Sequence, residues 1–195
     1  MRALRLISTP PFDRPAPGQR FHVASFAGVL HTHWNTPTIG YHQFFQATRA
    51  ITRHKGDVER AYRRMVVNNL SSNRDDHAGQ HAYLMDNAGQ WQLSLVYDLT
   101  FSHGPRGEPH LDVDSERRRP TRAHATTLAQ KQGIALPLAN KIIYEVRAIL
   151  SRWTDIAEKT GVLPPPPALC RRCRPRRRSG CGAALRRHRF SLICA

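Results

Sequence analysis

Cysteine is missing from the first 163 residues of the 195-residue chain, because all four cysteines (Cys170, Cys173, Cys181 and Cys194) lie in its last 32 residues. A disulfide-framed secreted domain would carry cysteines in its core, so this class is excluded for the main body. The chain has no uninterrupted apolar run near the roughly 20 residues that cross a membrane, and its start lacks the apolar stretch of a signal peptide. We therefore expect a cytoplasmic protein that has no membrane partner.

Acidic residues are absent from the last 32 residues, which hold nine arginines. The whole chain has 30 Lys and Arg against 14 Asp and Glu, a net charge of +16, so more than half of the excess belongs to this segment. We predict a disordered basic tail over 164–195, which would attract nucleic acid in a salt-dependent way. A zinc site that includes Cys170 and Cys173, and out-of-frame translation, are alternative interpretations of the tail.

The remaining sequence predicts a mainly helical α+β fold with a small β-hairpin. Apolar residues recur at the helical period in several segments, and the second of them carries Arg60, Arg63 and Arg64 on the face opposite its apolar stripe. Five prolines interrupt residues 1–37, where we expect no helix and only short extended pieces. The predicted helices are Tyr41–Thr52, Asp57–Leu70, one from Thr121 to just before Gly133, and Leu138–Lys159 with a stop at Gly161; the extended pieces are Leu4–Ser8 and Arg20–Ala27.

Acidic side chains follow the second predicted helix and the hairpin. The loop 71–80 is rich in residues that favour caps and turns, and we expect it to expose Asp75, Asp76 and His77. Alternating apolar residues in 81–85 and 91–98 predict the hairpin, with Asp98 at the end of its second strand. A loop at the end of a strand lets a carboxylate protrude from a rigid support.

This order of residues is typical of a phosphoryl-transfer site. Such a site needs a carboxylate that orients the attacking hydroxyl, and amide or carboxylate oxygens that hold Mg²⁺ against the phosphates. Protein kinases place the first Asp five positions before an Asn, followed by a hairpin and a metal-binding Asp. Here Asp75 precedes Gln80 by five positions, and Asp98 follows the hairpin. A solvated acidic loop is the alternative that the pattern alone leaves open.

The segment RRMVVNNLSSNRDDHAGQHAYLMDNAGQWQLSLVYDLTFS (63–102) resembles the C-terminal lobe of HipA-family serine/threonine kinases, the toxins of bacterial toxin–antitoxin pairs. PFDR (11–14) is similar to the family's hinge segment, and the resemblance continues through 120–134 to about Leu163. It covers most of the body and none of the tail. The implied organisation is a hinge-like segment at 1–37, a protein-kinase-like C-terminal lobe at 38–163 and the tail at 164–195.

The resemblance implies ATP-dependent phosphorylation of a protein serine, with ATP and Mg²⁺ as cofactors. The implied protein partners are a substrate such as an aminoacyl-tRNA synthetase and an antitoxin-like helix-turn-helix protein. The site residues carried over from the family motif are Asp75 as the catalytic residue, Gln80 and Asp98 for the metal, and Phe12, Asp13 and His77 for the nucleotide.

The sequence departs from the family pattern in ways that predict a weak or inactive kinase when this chain acts alone. The part that would carry the phosphate-covering loop and its lysine has no counterpart, since the four lysines all follow the first predicted helix. Gln80 replaces the metal-binding Asn with a longer side chain, and Mg²⁺ tolerates little change in geometry. A noncatalytic partner-binding module and a nucleic-acid-binding protein that uses the basic tail remain the alternatives.

Overall fold

The computed structural model describes residues 11–34, 36, 39–102, 108–153 and 155. The predicted tail at 164–195 and the predicted extended piece Leu4–Ser8 lie outside them. The described residues confirm a mainly helical α+β fold, and they include no helix long and apolar enough to cross a bilayer. The elements in chain order are β1 (His22–Ser25), α1 (Phe26–Val29), α2 (Tyr41–Thr52), α3 (Lys55–Ser71), a 3₁₀ helix (Ala78–Gln80), β2 (Ala82–Met85), β3 (Trp91–Leu93), α4 (Arg122–Lys131) and α5 (Leu136–Ser151).

The core forms where α3 packs against α2 on one side and α5 on the other. The apolar stripe predicted from the helical period is buried: Phe44 and Phe45 of α2 meet Tyr62 and Met65 of α3 without solvent exposure. Helix α2 has the predicted bounds, and α3 extends the predicted helix by two residues at its start and one at its end. The longest central helix therefore leads directly into the loop that carries the candidate acids.

The predicted hairpin is part of a three-stranded antiparallel sheet in the order β1-β2-β3. Val23 pairs with Leu84, and Tyr83 pairs with Leu93. The turn between β2 and β3 needs a residue with positive φ, and Gly89 supplies it at 76°. β1 lies in the predicted extended piece Arg20–Ala27, so this prediction is confirmed in part.

The prediction that β3 continues to Asp98 is wrong, because β3 ends at Leu93. Further pairing would need residues before Ala82, but the chain there turns into the 3₁₀ helix. Leu95 is 63% exposed, so the alternating residues that suggested a longer strand find no sheet to pack on. Asp98 instead lies in an irregular segment beyond the strand.

Two local expectations near the helices are also wrong. A short helix, α1, interrupts the region predicted to lack helices, because Ser25 caps it by accepting a hydrogen bond from the Gly28 amide at 3.0 Å. Arg64 does not lie on a solvent face: it is 5% exposed, and it donates to the Ser94 carbonyl at 2.8 Å. Residue 64 is three positions from the buried Ala61 and four from the buried Asn68, so it shares their inward face.

The C-terminal helices follow the predicted signals. Thr121 caps α4 by accepting from the His124 amide, and α4 ends before Gly133, where φ is 69°. Helix α5 begins at Leu136, two residues earlier than predicted, with Pro137 in its first turn, where a missing amide hydrogen costs nothing. It ends at Ser151; the predicted stop at Gly161 lies outside the described residues.

Asp57 joins α3 to the hairpin and so helps to place the segment that follows β3. Its side chain is 1% exposed, and its Oδ2 accepts a hydrogen bond from the Leu93 amide at 3.1 Å. Arg60, one turn along the helix, pairs with the other carboxylate oxygen. A buried strand amide is thus satisfied by a helix side chain.

We expect Asp57→Ala to lower the free energy of unfolding by about 1–3 kcal/mol, because the Leu93 amide would stay buried without an acceptor. Urea unfolding monitored by circular dichroism measures the change. Glu59→Ala, at a half-exposed position two residues along the same helix, is the matched control and should have a much smaller effect. Equal losses in the two variants would contradict this role of Asp57.

Candidate functional site

The predicted catalytic residue, Asp75, lies in the loop that leaves α3, and its side chain is 43% exposed. Its backbone amide donates to Oδ1 of Asn73 at 3.4 Å, and the Asn73 side chain donates to Oδ1 of Asn68 in the last turn of α3 at 3.2 Å. The carboxylate is therefore on a short, anchored segment and remains open to solvent. An approaching hydroxyl group would find an accessible acceptor at this position.

Gln80 and Asp98, the two predicted metal ligands, meet in the structure. Gln80 is buried in the 3₁₀ helix, and its Nε2 donates to Oδ2 of Asp98 at 2.9 Å. Asp98 has a φ of 53°, a left-handed conformation that Asp adopts more readily than most residues. The strand ends earlier than predicted, but the segment after it bends back and brings the second acid to the end of the loop that carries Asp75.

Phe12 belongs to the same neighbourhood, because its ring stacks on Tyr97 with centroids 5.7 Å apart. The Tyr97 hydroxyl donates to the Gly79 carbonyl at 2.8 Å, which connects this aromatic pair to the 3₁₀ helix. Asp13 has its carboxylate 3.7 Å from Arg14, and its backbone carbonyl accepts from the Phe21 amide at 2.8 Å. The structure thus places Phe12 against Tyr97, the residue before Asp98.

His77 begins the 3₁₀ helix and faces two aromatic rings. Its Nδ1 accepts from the Gly79 amide at 3.1 Å. Its ring lies 4.6 Å from Trp34 and 5.6 Å from His110, measured between centroids. His110 comes from the segment far beyond the hairpin, and its Nε2 is 3.6 Å from Oδ1 of Asp75. Sequence reasoning did not identify Trp34 or His110, because no local spacing connects them with the loop.

Asp76 was predicted to be exposed beside Asp75, and this is wrong, because the residue is 2% exposed. Its Oδ2 accepts from the Tyr41 hydroxyl at 2.7 Å, and its Oδ1 accepts from the His110 amide at 3.0 Å. Burial raises the pKa of Asp76 from 3.8 to about 6, although these hydrogen bonds act in the opposite direction. The two adjacent acids therefore have different environments, since Asp75 is open to solvent and Asp76 is buried.

Asparagine side chains extend this buried network to the helix. The Asn68 amide donates to the Tyr41 hydroxyl at 2.9 Å, and the Asn73 amide donates to Oδ1 of Asn68 at 3.2 Å. Asn68 and Asn73 are both 3% exposed. Asparagine in the last turn of a helix and in the following loop is a sequence signal for this kind of local bonding.

Two buried basic side chains, Arg64 and His81, lie close to the site residues in sequence or space. Burial lowers the pKa of Arg64 to about 10 and moves the pKa of His81 well below 6.5. His81 follows Gln80 directly and stacks on Phe44 with centroids 4.3 Å apart. Within the described part of the chain, Nε and Nη1 of Arg64 have no hydrogen-bond partner. The His81 ring is therefore neutral at pH 7, whereas Arg64 keeps its charge.

The donor chemistry of Gln80 and Asp98 fits a nucleotide-bound Mg²⁺. Magnesium prefers hard oxygen ligands and usually takes one or two carboxylates, while phosphates and water complete the octahedron. A carboxylate and an amide oxygen on touching side chains meet this requirement in part. Among the described residues, no group of three or more His, Cys, Asp or Glu side chains could hold a metal ion, so an all-protein cage is not present there.

A shallow, open cleft adjoins the loop that follows α3. Asn73 and Arg74 line it at the position just before Asp75, and Arg118 lines it from the segment before α4. Neither Asp75 nor the Gln80–Asp98 pair lines this cleft. This cleft is thus separate from both the candidate catalytic residue and the candidate metal ligands.

Comparison with known proteins finds a matching protein family and similar folds among the solved structures. The model of the family of HipA-like C-terminal domains matches residues 3–153. A search of the curated proteins finds no match. The fold is similar to that of HipA from Shewanella oneidensis MR-1, solved in a toxin–antitoxin complex with HipB and its operator DNA, at a TM-score of 0.65 and 17% sequence identity. The similarity covers 84% of this chain and 46% of that one, so the chain spans about half the length of this relative.

The raised pKa of Asp76 predicts an unusual pH dependence of stability. Between about pH 4 and 6 the native state binds a proton that the unfolded chain has released, so folding is favoured as the pH falls through this window. We expect the free energy of unfolding of the wild type, relative to Asp76→Asn, to increase by up to about 1.4 kcal/mol for each pH unit from 6 to 4. Urea unfolding at a series of pH values measures this difference.

Glu59→Gln, which removes a half-exposed carboxyl group and keeps Asp76, is the control: it should become more stable towards pH 4 relative to Asp76→Asn, as the wild type does. A difference between wild type and Asp76→Asn that stays constant from pH 7 to pH 4 would mean that Asp76 does not titrate in this range.

Proposed function

Because the chain belongs to the family of HipA-like C-terminal domains, we propose that it is the C-terminal part of a serine/threonine protein kinase of the toxin–antitoxin type. The reaction would move the γ-phosphoryl group of ATP to a protein hydroxyl. The observation that carries the proposal is the 2.9 Å contact between Gln80 and Asp98, which brings the second acid to the loop of Asp75. Phosphoryl transfer depends mainly on positioning and on electrostatic stabilisation, and this arrangement offers both kinds of group.

Asp75 would orient the substrate hydroxyl and accept its proton. Its carboxylate is 43% exposed, so a side chain from another protein can reach it. The loop is fixed on both sides, by Asn73 before the acid and by the 3₁₀ helix after it. A fixed acceptor lowers the entropic cost of aligning the hydroxyl with the phosphate.

Asp98 and Gln80 would hold the metal with their carboxylate and amide oxygens. When bound, Mg²⁺ neutralises charge on the phosphates of the nucleotide. The left-handed backbone at Asp98 turns its side chain towards the 3₁₀ helix, where Gln80 is buried and cannot swing freely. This hydrogen bond holds the two side chains next to each other before a nucleotide arrives, and the Gln80 amide would turn its oxygen towards the metal.

Phe12, Asp13 and His77 would contact the nucleotide. The stacked pair of Phe12 and Tyr97 offers an aromatic surface for adenine next to the 3₁₀ helix. Asp13, one residue along, has the carboxylate that a ribose hydroxyl requires. His77 lies at the start of the 3₁₀ helix, near the end of the site that Asp75 occupies.

We expect the chain alone to transfer phosphate slowly. Gln80 has one methylene group more than the Asn of the family pattern, and a displacement of about 1 Å can cost on the order of a hundredfold in rate. Three lysines are described: Lys55 begins α3, Lys131 pairs with Asp114, and Lys141 lies 4.0 Å from Glu145. Lys131 and Lys141 are thus already engaged with acids, on the two C-terminal helices.

Mg·ATP should raise the thermal unfolding temperature of the full chain, because the native state alone would bind it. Asp98→Asn should abolish this shift, since a neutral amide replaces the one carboxylate at the metal position. Glu59→Gln is the charge-matched control on α3 and should retain the shift. Differential scanning fluorimetry with and without Mg²⁺ measures all three; no shift in the wild type at millimolar Mg·ATP would contradict the proposal.

A phosphoryl-transfer assay with radiolabelled ATP and a generic protein acceptor tests the chemistry. We expect a slow transfer that Asp75→Asn removes and that Gln80→Asn accelerates, because Asn shortens the amide arm to the family length. Turnover at ordinary kinase rates of about 1–100 per second would contradict the expected weakness of the chain. Slow transfer that persists in Asp75→Asn would remove Asp75 from the catalytic role.

A noncatalytic partner-binding domain is the second candidate. The Shewanella oneidensis relative was solved together with HipB and operator DNA. In this chain α5 exposes Tyr144 and Ile149, each 56% accessible, on its outer surface. An antitoxin-like protein is the partner that this likeness favours, and the absence of any Mg·ATP effect would support this candidate over the kinase.

A further inference from the structure

A closed path of polar contacts begins and ends at Asp75. In one direction, the backbone amide of Asp75 donates to Oδ1 of Asn73 at 3.4 Å, and the side-chain amide of Asn73 donates to Oδ1 of Asn68 at 3.2 Å. The side-chain amide of Asn68 then donates to the Tyr41 hydroxyl at 2.9 Å. Tyr41 then donates to Asp76 at 2.7 Å. The path thus leads from the loop into the core and returns to the residue next to the starting point.

The second half of the path passes through His110. Its backbone amide donates to Oδ1 of Asp76 at 3.0 Å, and its ring Nε2 lies 3.6 Å from Oδ1 of Asp75. The backbone of His110 is therefore held by the buried Asp76, while its ring faces the exposed Asp75. The His110 side chain is only 14% exposed, since the rings of Trp34 and His77 pack against it.

We propose that His110 is a positioning residue for Asp75, and that Asp76 together with Tyr41 holds His110 in place. The inference rests on the proposed function, because it gives the Asp75 carboxylate a defined direction for the incoming hydroxyl. A ring nitrogen at 3.6 Å is beyond a formed hydrogen bond, and contacts of this kind tighten when a substrate closes the site. His110 thus limits how the carboxylate turns without occupying its open side.

The charges around His110 make this arrangement measurable. The ring faces Asp75 and His77 from the loop after α3, and Arg117 from its own segment. Burial and the neighbouring His77 lower the pKa of His110, whereas the negative charge of Asp75 raises it. Because the charge of Asp75 and burial act on the His110 pKa in opposite directions, the sign of the pKa change in a variant shows which of the two effects the substitution has weakened.

Titration of the His110 ring by nuclear magnetic resonance tests the pair without any need for activity. In the full chain, Asp75→Asn should lower the pKa of His110 further, because the favourable charge is lost. Tyr41→Phe should raise the pKa, because the released ring becomes better solvated. Tyr83→Phe is the matched control: it removes another buried hydroxyl, one that contacts Thr48, and should leave the pKa of His110 unchanged.

A His110 pKa that does not respond to Asp75→Asn would overturn the proposal, whatever the chain does with ATP. Asp75 is half-exposed and Asn has the same shape, so this variant should fold even if Tyr41→Phe proves unstable. A pKa that falls in Asp75→Asn and in Tyr41→Phe alike would overturn the role of Tyr41 in holding the ring.

Phosphoryl transfer gives the second readout. We expect His110→Ala to lower kcat about ten- to a hundredfold with a much smaller change in KM for ATP, because His110 itself makes none of the proposed nucleotide contacts. His110→Gln should restore part of the rate, since its Nε2 can occupy the place of the ring nitrogen. Equal transfer rates in wild type and His110→Ala would contradict the inference and leave the proposed kinase function intact. A His110 pKa that responds to Asp75→Asn, in a chain whose unfolding temperature Mg·ATP does not change, would contradict the kinase function and leave the contact between His110 and Asp75 intact.

Discussion

The carboxylate of Asp76 joins three parts of the chain that are far apart in sequence. It accepts from Tyr41 at the start of α2 and from His110 beyond the hairpin, and it lies within the loop that follows α3. Burying a carboxylate to 2% exposure is costly unless its oxygens accept hydrogen bonds, so both partners stabilise this form of the loop. Asp75 precedes Asp76 directly in the chain, so the contacts that fix Asp76 also fix the backbone that carries Asp75. The candidate site depends on Asp76 for this reason.

The second half of the site depends on contacts between α3 and β3. Asp57 accepts the Leu93 amide, and Arg64 donates to the Ser94 carbonyl, so two side chains of one helix hold the end of the strand. The chain beyond this point is free of the sheet and turns at Asp98 towards Gln80. Helix α3 therefore positions the loop with Asp75 at its end and the segment with Asp98 along its side.

The spacing of apolar residues and the capping residues predict most of the fold. The spacing indicates which face of an element is buried, and the capping residues indicate where a helix begins or ends. Tyr41–Thr52 and the Thr121 cap are local features and were predicted correctly. Arg64 and Asp76 were placed in solvent because charge normally indicates exposure, whereas their burial is set by tertiary partners. His110 was not identified because its relation to Asp75 exists only in the folded chain. The meeting of Gln80 and Asp98 agrees with the kinase-like order of the motif, while the roles of these residues remain predictions.

The central claim is that one nucleotide–metal complex is held between the 3₁₀ helix and the segment after β3. Paramagnetic broadening by Mn²⁺ in place of Mg²⁺, with ATP present, tests this claim most directly by nuclear magnetic resonance on the full chain. The account predicts selective loss of the amide signals of Gln80 and Asp98, weaker broadening at Asp75, and unchanged signals for Tyr144 on α5. Broadening that is uniform, or that is centred away from Gln80 and Asp98, would contradict it.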